Sequence, residues 1–451
     1  MRRLKFTNLK TATSKSIAVV LLGLLNFLYI NLAFGETEAD ILKVPSDFRA
    51  TKILDKLPLS KYFTFDFEGN FIFNQAAGGT ERIVKVAPSG EPVVLVDRVS
   101  QPLLGLSFHQ GKVYAIFRGR VDVVNQGSFS DLVTGLPASG DYANSSVIFH
   151  DGKMYFSVGT ATNSGLVGAD NGWLKGQPSV HDLPCKAVKI NQINIETDNF
   201  LTARKDDKAS TGSFMPFNTP AYTETLSGSL KCSGAIMRAN PDGSNLELVA
   251  YGFHNPKGLS FDSKNNLYTL DSAMEDRGVR PVKDGRDSLF AVSGGTWHGW
   301  PDFNAGREID NPIIKEHPNT PPQPLATFDP GQLSQFVISD FDQDTGLATV
   351  GGKKVSEFGL RSGKLKDFVT LAPDYRIDQI KFGPDNNLYA MVSNGKNSEL
   401  WKVESTKHPI VKSGTRGTKN FPIAWSASLT ITVLGFIATY LVWKNRQQPI
   451  G

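Results

Sequence analysis

The chain has 451 residues, of which 40% are hydrophobic and 20% are charged, and its formal net charge at pH 7 is +4. A chain of this length predicts one large domain or two smaller ones around more than a single small core. The small net charge, with many of the basic residues near the termini, argues against a nucleic-acid-binding protein.

The first residues, 1–35, are typical of an export signal. Five Lys and Arg residues are followed by a mainly apolar run over 17–34. Ala33 and Gly35 place small residues at the −3 and −1 positions of a cleavage site. We therefore predict a cleaved signal peptide, with an uncleaved anchor as the alternative because the apolar run is long for a signal.

The body, residues 40–404, repeats one pattern: an apolar strand ending in Phe, a tight polar turn, and a second apolar strand with an aromatic residue. In the first three copies the Phe is Phe67, Phe108 and Phe149, a spacing of 41 residues. Each copy predicts a hairpin, since Gly and Asn in the turns tolerate positive φ. The six copies, the fifth of them degenerate, lie at 64–71, 106–114, 147–155, 259–268, 336–350 and 380–389. A period near 40 residues is typical of propeller blades, so we predict an all-β, six-bladed β-propeller.

A second hairpin type, at 83–96 and 236–249, is typical of the outer strands of a blade. Two stretches exceed the repeat: 160–230, which carries His181, and the proline-rich 305–331. Long loops in compact domains are usually lids or binding loops. We therefore predict that the longer one is a loop insertion with a role in binding.

Cys185 and Cys232 are the two cysteines of the chain, and both lie in the predicted exported body. An oxidising environment favours a disulfide that closes the long insertion. A metal site with two thiols is disfavoured because the chain has no further Cys to complete it. Free thiols are the alternative if the two residues are far apart.

The C-terminal run 421–443 carries no charged residue and is long enough to cross a hydrocarbon core of ~30 Å as a helix. Aromatic residues towards its ends, with Lys444 and Arg446 directly after it, favour a transmembrane helix and a cytoplasmic tail at 444–451. A buried core helix is the alternative. We predict an extracytoplasmic body, periplasmic or at the cell surface, joined to the membrane by a tether at 405–420.

Polar residues at the strand ends beside each repeat are the candidates for a site, because the inner strands of all blades meet at one channel. They include Gln75, Asp141, Tyr142, Asn144, His254, Asn255, Asp271, Glu275, Asp276, Arg277, Arg280, Trp297, His298, Trp300, Tyr375, Arg376 and Asp378. Each type also has an ordinary structural role: Asp and Asn cap turns, and Trp fills cores. The sequence has no nucleophile elbow, P-loop or Rossmann fingerprint. Its scattered histidines indicate no transition-metal site.

Three segments carry a family resemblance. Gly252–Phe261 reads Gly-Phe-His-Asn-Pro-Lys-Gly-Leu-Ser-Phe, an acidic loop follows at 275–278, and 297–301 reads Trp-His-Gly-Trp-Pro. With the region around Asp141, they resemble the glucose/sorbosone dehydrogenase family, which includes soluble quinoprotein glucose dehydrogenases. The resemblance covers most of 45–404. It implies a six-bladed propeller that binds pyrroloquinoline quinone (PQQ) and calcium at the channel mouth and oxidises a sugar or sugar-like alcohol.

The resemblance also implies roles for single residues, with two departures from the family. The family's proton acceptor, a His, is matched by Tyr142, next to Asp141, and its charge-stabilising Arg is matched by His254. A phenol with a pKa near ~10 is a poor base at neutral pH, and a His is charged only below about pH 6.5. Asn255 and Arg376 match family residues at the cofactor, and the backbone carbonyls of Ser272 and Ala273 match the family's calcium ligands. Gln75 and Trp297 are further candidates for binding the cofactor.

Two functions are compatible with these residues. The first is a membrane-anchored quinoprotein-type dehydrogenase in which Tyr142 and His254 have new roles or the insertion supplies His181. The second is a non-catalytic propeller that binds a carbohydrate or a protein partner at the cell surface. A propeller hydrolase or lactonase with a divalent metal is disfavoured because the sequence shows no clear ring of carboxylates. We expect the dehydrogenase.

Overall fold

The computed structural model describes residues 41–87, 90–202, 204, 206–342 and 344–407. The first strands are β1 (Leu42–Lys43), β2 (Phe48–Pro58), β3 (Phe63–Phe65), β4 (Phe71–Ala77), β5 (Thr80–Val86), β6 (Val93–Val99), β7 (Gly105–His109), β8 (Lys112–Phe117), β9 (Arg120–Asn125), β10 (Ser128–Val133), β11 (Ser145–His150) and β12 (Lys153–Val158). The next are β13 (Val188–Lys189), β14 (Asn194–Asp198), β15 (Lys208–Gly212), β16 (Thr225–Leu226), β17 (Ala235–Ala239), β18 (Glu247–Tyr251), β19 (Pro256–Phe261), β20 (Leu267–Asp271), β21 (Asp287–Val292), β22 (Phe303–Asn304) and β23 (Arg307–Glu308). The last are β24 (Ala326–Phe328), β25 (Leu333–Ile338), β26 (Thr345–Val350), β27 (Lys354–Gly359), β28 (Leu365–Leu371), β29 (Arg376–Phe382), β30 (Leu388–Ser393) and β31 (Asn397–Ser405).

These strands form six antiparallel blades around a central channel. From the innermost strand outwards, the blades are β3–β4–β5–β6, β7–β8–β9–β10, β11–β12–β17–β18, β19–β20–β21–β24, β25–β26–β27–β28 with β1 added, and β29–β30–β31–β2. The innermost strands contact one another in that order. The ring closes between blades 6 and 1, where the Phe63 N–H donates to Gln379 Oε1 at 2.6 Å. The prediction of an all-β, six-bladed propeller is confirmed.

The last two blades combine strands from both ends of the body. β2 pairs with β31 from Phe48 opposite Ser405 to Pro58 opposite Asn397. β1 adds to β28 as a fifth strand of blade 5. The sequence pattern does not predict this closure, because β1 and β2 carry no copy of the repeat.

Each copy of the sequence repeat forms the two inner strands of one blade, as predicted. The turn between them is stabilised locally in blades 1, 4 and 6, where Asp66, Asp262 and Asp385 accept the backbone N–H two residues later at 2.9, 2.9 and 3.2 Å. Such Asx turns compete well with other backbone conformations. The second hairpin type forms the outer pairs β5–β6 and β17–β18, which is also as predicted.

The Phe before each turn contacts the neighbouring blade. His109 of blade 2 stacks on Phe149 of blade 3 with ring centroids 4.2 Å apart, and His150 of blade 3 stacks on Phe261 of blade 4 at 3.8 Å. The recurring Phe therefore joins successive blades through aromatic contacts, which explains its regular spacing in the sequence.

The long insertion lies between β12 and β17 and contains two small sheets, β13 with β16 and β14 with β15. Cys185 and Cys232 form a disulfide that closes most of it, so the predicted disulfide is confirmed. The buried Asp182 carboxylate accepts the N–H groups of Ala161 and Thr162, at 2.6 and 3.0 Å. These bonds fix the start of the insertion against its middle. A second excursion, between β21 and β24, carries the β22–β23 hairpin.

The predicted signal peptide at 1–35, transmembrane helix at 421–443 and tail at 444–451 lie outside the described residues. So does the tether from residue 408 onwards, while β31 extends to Ser405. Within the part of the chain that is described, no helix is long and apolar enough to cross a membrane.

Candidate active site at the channel mouth

The predicted site residues gather at one rim of the propeller. The start of each innermost strand pairs with the end of the second strand, as Pro256 pairs with Asp271, so the loops at these two positions share a face. The predicted residues in such positions are Gln75 at the end of β4, Asp141 and Tyr142 before β11, His254 and Asn255 before β19, Ser272 and Ala273 after β20, and Arg376 at the start of β29. We call this rim the channel mouth.

Asp271 fixes the loop that precedes β19. Its buried carboxylate accepts the backbone N–H of His254 at 3.1 Å and that of Asn255 at 2.7 Å. Burial raises the pKa of Asp271 to about 7. The sequence indicates this residue as a site candidate at a strand end, and its role in shaping the mouth comes from the strand pairing.

His254 is buried, with 1% of its surface exposed, and it is neutral at pH 7. Its Nδ1 lies 3.1 Å from the Ser272 carbonyl oxygen, which can only accept, so Nδ1 carries the proton. Its Nε2 has no hydrogen-bond partner in the described part of the chain. Burial lowers the pKa of His254 to about 4. His254 therefore cannot supply the positive charge that an Arg would supply at this position.

The positive charge beside Tyr142 comes from Arg277, in the loop after β20. Its guanidinium donates to Asp170 at 2.5 Å, to Asp141 at 2.8 Å and to the Tyr142 hydroxyl at 2.9 Å. It also forms an ion pair with Glu275 through Nε. Arg277 thereby joins the loop before β11, the insertion and the loop after β20. The sequence places it in the acidic loop but does not indicate this set of partners.

Tyr142 is a hydrogen-bond donor at neutral pH. Its hydroxyl donates to Glu275 Oε1 at 3.1 Å, and its ring lies edge-on to His254 at 4.2 Å. Burial raises the pKa of Tyr142 above its ordinary value, and the nearby Glu275 adds to this rise although Arg277 opposes it. The phenol therefore stays protonated, and the hydroxyl is held between an anionic and a cationic partner.

The insertion contributes directly to the mouth. Asn171 Nδ2 and Trp173 Nε1 both donate to the Asp141 carboxylate, at 2.9 and 2.8 Å. Asn163 exchanges hydrogen bonds with the backbone of Glu275 at 2.7 and 2.8 Å. Length and composition predict a binding role for the insertion, but they do not indicate these three residues. His181 Nδ1 lies 2.8 Å from the Ser179 carbonyl, within the insertion.

The opposite side of the mouth, formed by blades 1, 5 and 6, is open and carries basic residues. The turns after the second strands contain Gly79, Gly351 and Gly395, where an added Cβ would meet no atom within 4 Å. Gln75 accepts a hydrogen bond from Arg82 at 2.9 Å. The Arg376 side chain is 61% exposed and pairs with Asp378 at 3.0 Å, and the exposed Lys61 precedes β3. The mouth therefore has an acidic, covered side and a basic, open side.

Trp297 lies in the core, although we expected it to bind the cofactor. It is 1% exposed, its indole N–H donates to the Trp300 carbonyl at 2.8 Å, and its ring stacks on His317 at 5.0 Å. A Cβ on Gly252 would lie only 2.1 Å from the Trp297 ring. A buried indole with a satisfied N–H is a packing residue. The Gly252 and Trp297 segments of the recognised motif thus interlock in the core behind the mouth.

His298 lies beside this motif and is also buried, at 5% exposure. Its ring stacks on Phe253 at 4.2 Å and lies edge-on to Phe290 at 5.1 Å. Neither ring nitrogen finds a hydrogen-bond partner among the described residues. Burial lowers the pKa of His298 to about 3, so this side chain is neutral and behaves as an apolar group.

The raised pKa of Asp271 favours the folded state as the pH falls, whereas protonation of His254 and His298 is expected to cost stability between about pH 6.5 and pH 4. Their folded-state pKa values lie below the unfolded value near ~6.5, so their contribution is complete above that pH and is lost as the pH falls. His298→Leu should unfold in urea at pH 7.5 within ~1 kcal/mol of the wild type and lose less stability on transfer to pH 4.5. Phe290→Leu, in the same cluster, should be destabilised equally at both pH values. Equal acid sensitivity of His298→Leu and the wild type would contradict this account.

The fold and the mouth define a class of protein: a propeller with a polar site at one end of its channel, partly covered by an insertion. Residues 209–402 match the family model of the Glucose / Sorbosone dehydrogenase family. The resemblance drawn from the sequence motifs is therefore confirmed. The comparison with curated proteins gave no match.

Solved structures share the fold at low sequence identity. The PQQ-bound aldose sugar dehydrogenase of Streptomyces coelicolor is 15% identical, with a TM-score of 0.50, over 80% of this chain and 100% of that chain. The holo PQQ domain of pyranose dehydrogenase from Coprinopsis cinerea is 13% identical, with a TM-score of 0.52, over 80% and 97%. The calcium structure of Trichoderma reesei Carbohydrate-Active Enzymes family AA12 is 12% identical, with a TM-score of 0.53, over 82% and 99%. Identities this low establish the shared fold alone.

Proposed function

We propose that this chain is a quinoprotein-type dehydrogenase that oxidises a sugar or sugar-like alcohol at the channel mouth. The observation that carries the proposal is the two-sided mouth, with carboxylates around Tyr142 on one side and open, basic turns on the other. The match of residues 209–402 to the sugar dehydrogenase family supports the same reaction class.

The open side of the mouth fits a planar tricarboxylate such as PQQ. Anionic ligands need cations, and this side offers Arg376, Arg82 and Lys61 beside glycine turns with free space. Gln75 and Arg376 there, with Asn255 across the mouth, are the residues that would hold the quinone. When bound, PQQ would supply the two-electron acceptor for the oxidation.

A calcium ion would depend on backbone oxygens. In the described ranges no group of three or more His, Cys, Asp or Glu side chains is arranged to hold a metal ion. The carbonyl of Ser272 accepts from His254, which leaves its second lone pair for a cation. The Ala273 N–H donates to Asp287 at 2.8 Å and so fixes this loop. Oxygen ligands from loop carbonyls suit calcium, as the resemblance implies for Ser272 and Ala273.

The covered side of the mouth would bind the hydroxyl groups of the substrate. The Tyr142 hydroxyl is fixed by Glu275 and Arg277 and keeps acceptor capacity for a further hydroxyl group. Asp141 is fixed by Asn171 and Arg277 beside it. Three carboxylates around one guanidinium leave this side negative, which favours a neutral polyhydroxylated ligand over an anion.

Titration of the full-length chain with PQQ and calcium, followed by absorbance, tests the proposal. We expect quinone binding at micromolar concentration or tighter, followed by spectral reduction of the quinone on addition of at least one aldose from a panel. Absence of quinone binding at micromolar levels would refute the enzyme hypothesis.

A non-catalytic carbohydrate-binding propeller is the second candidate. It is favoured by one observation: the neutral His254 and the protonated Tyr142 stand where the family has a cation and a base. Quinone binding without sugar-dependent reduction would support this candidate.

The double variant Tyr142→His, His254→Arg restores both family residues and measures how the two departures affect sugar-dependent quinone reduction. We expect sugar-dependent quinone reduction to rise at least about tenfold, because a general base and a fixed cation each contribute strongly to such transfers. The matched controls are the two single variants, each of which should stay within about threefold of the wild type. A double variant no faster than the wild type would show that other residues limit turnover.

We also propose that the body is extracytoplasmic and anchored to the membrane by residues 421–443. The disulfide between Cys185 and Cys232 supports an oxidising compartment. Cell fractionation tests this, with protease added to intact cells and to cells whose outer membrane has been permeabilised: the body should be in the membrane fraction and accessible in at least one of the two. A body recovered in the soluble cytoplasmic fraction would refute it.

A further inference from the structure

A groove leaves the channel mouth along the loop after β20. Its inner part has a volume of about 620 Å³ and begins at Glu275 and Asp276. Its outer part has a volume of about 550 Å³ and runs between the insertion and the β22–β23 hairpin. The two parts share Val282, Asp284 and Arg307 in their linings, so they adjoin. Together they form a groove that begins at Glu275 of the mouth and continues beside the insertion residues Ile193 and Ile195.

The walls of this groove are joined by the buried guanidinium of Arg280. It donates to the carbonyls of Ser164 at 3.1 Å, Pro301 at 2.8 Å and Asn311 at 3.1 Å. It also pairs with the fully buried Asp302 at 2.9 Å. These partners belong to the insertion and to the excursion between β21 and β24, so both walls are fixed before a ligand arrives. A preformed groove is typical of a ligand site.

The chemistry of the lining indicates a neutral, polyhydroxylated ligand. The floor is aliphatic and includes Ile193, Ile195 and Val279. The rims carry charges of both signs, such as Arg307 and Asp284, which disfavours a strongly charged ligand of either sign. Aliphatic side chains pack against the C–H faces of pyranose rings, while the polar rims can hydrogen-bond their hydroxyl groups.

The size of the groove indicates more than one sugar unit. Each part alone is within the range of about 300–1,000 Å³ that is typical of small-molecule pockets. We infer that the groove binds a neutral oligosaccharide, with its terminal sugar at the mouth and the following sugars along the groove. This inference rests on the proposed function, since the terminal sugar is the unit presented for oxidation.

Isothermal titration of the full-length chain without added quinone tests the inference, with cellotetraose, maltotetraose and glucose as the probes. We expect at least one tetrasaccharide to bind about tenfold or more tightly than glucose. Arg307→Ala removes a rim side chain, and Ile195→Trp fills the floor. Both variants should lose this advantage. Arg361→Ala, an exposed Arg at the opposite rim of blade 5, is the matched control and should retain it.

Equal binding of tetrasaccharides and glucose, or full retention of the advantage in Arg307→Ala, would overturn the inference. Tighter binding of tetragalacturonate than of both neutral tetrasaccharides would also overturn it. Because Arg307 is exposed, its replacement should not prevent folding even if Ile195→Trp does. The measurement is independent of quinone. Tetrasaccharide binding without quinone turnover would support the groove and refute the oxidation. Quinone turnover without preferential tetrasaccharide binding would refute the groove and support the oxidation.

Discussion

Replacing Arg277 by alanine is expected to reduce sugar-dependent quinone reduction at least about 100-fold and to lower the free energy of unfolding by about 2–3 kcal/mol. The guanidinium pairs with Asp141, Asp170 and Glu275, so its loss leaves three partly buried carboxylates that repel one another. The Tyr142 hydroxyl loses its donor as well. Urea unfolding and the quinone assay measure the two effects.

Arg277→Lys separates the charge of this residue from its shape. A lysine keeps one positive charge but cannot reach four acceptors in several directions, so we expect it to recover stability more than activity. Arg361→Ala should change neither quantity, because that side chain is exposed at the opposite rim. Wild-type activity in Arg277→Ala would show that the contacts of the guanidinium do not organise the site.

Removing the disulfide is expected to cost about 4 kcal/mol in the free energy of unfolding, because Cys185 and Cys232 are 47 residues apart and their bond restricts the unfolded chain. The mouth should be affected only indirectly, since Asn163, Asn171 and Trp173 precede Cys185 and lie in the insertion outside the loop that the bond closes. Urea unfolding of the double variant Cys185→Ser, Cys232→Ser against the oxidised wild type measures the cost.

Two comparisons isolate the bond from the side chains. The wild type treated with a thiol reductant should show the same loss as the double serine variant. The variant with alanine at both positions should match the serine variant to within about 1 kcal/mol, although Cys232 is fully buried. Unchanged stability after complete reduction would mean that the insertion is fixed by its other contacts, among them the Asp182 hydrogen bonds.

The blades could be predicted from the sequence because their information is local. Asp66, Asp262 and Asp385 each form their turn with the next few residues, and the recurring Phe marks the contact to the next blade. The closure by β2 could not be predicted in this way. That strand pairs with β31 across almost the whole length of the body, and its own sequence resembles no copy of the repeat.

The location of the site could be predicted from the sequence, but the interactions among its side chains could be predicted only in part. Strand ends beside the repeats locate Asp141, Tyr142 and His254 at one rim. The partners of Arg277 could not be identified, since Asp170 lies 107 positions and Asp141 136 positions away along the chain. Trp297 was expected at the cofactor from motif position, whereas its burial against Trp300 and His317 places it in the core.

The sequence by itself determined the six-bladed repeat, the long insertion and the residue types at the mouth, because turn chemistry and strand periodicity act over short stretches of chain. Only the tertiary structure decided the protonation and charge of those residues. His254 is neutral because distant segments bury it, and Arg277 is held by carboxylates from three loops. Burial and ion pairing depend on which segments meet, and that is fixed when the blades close into a ring.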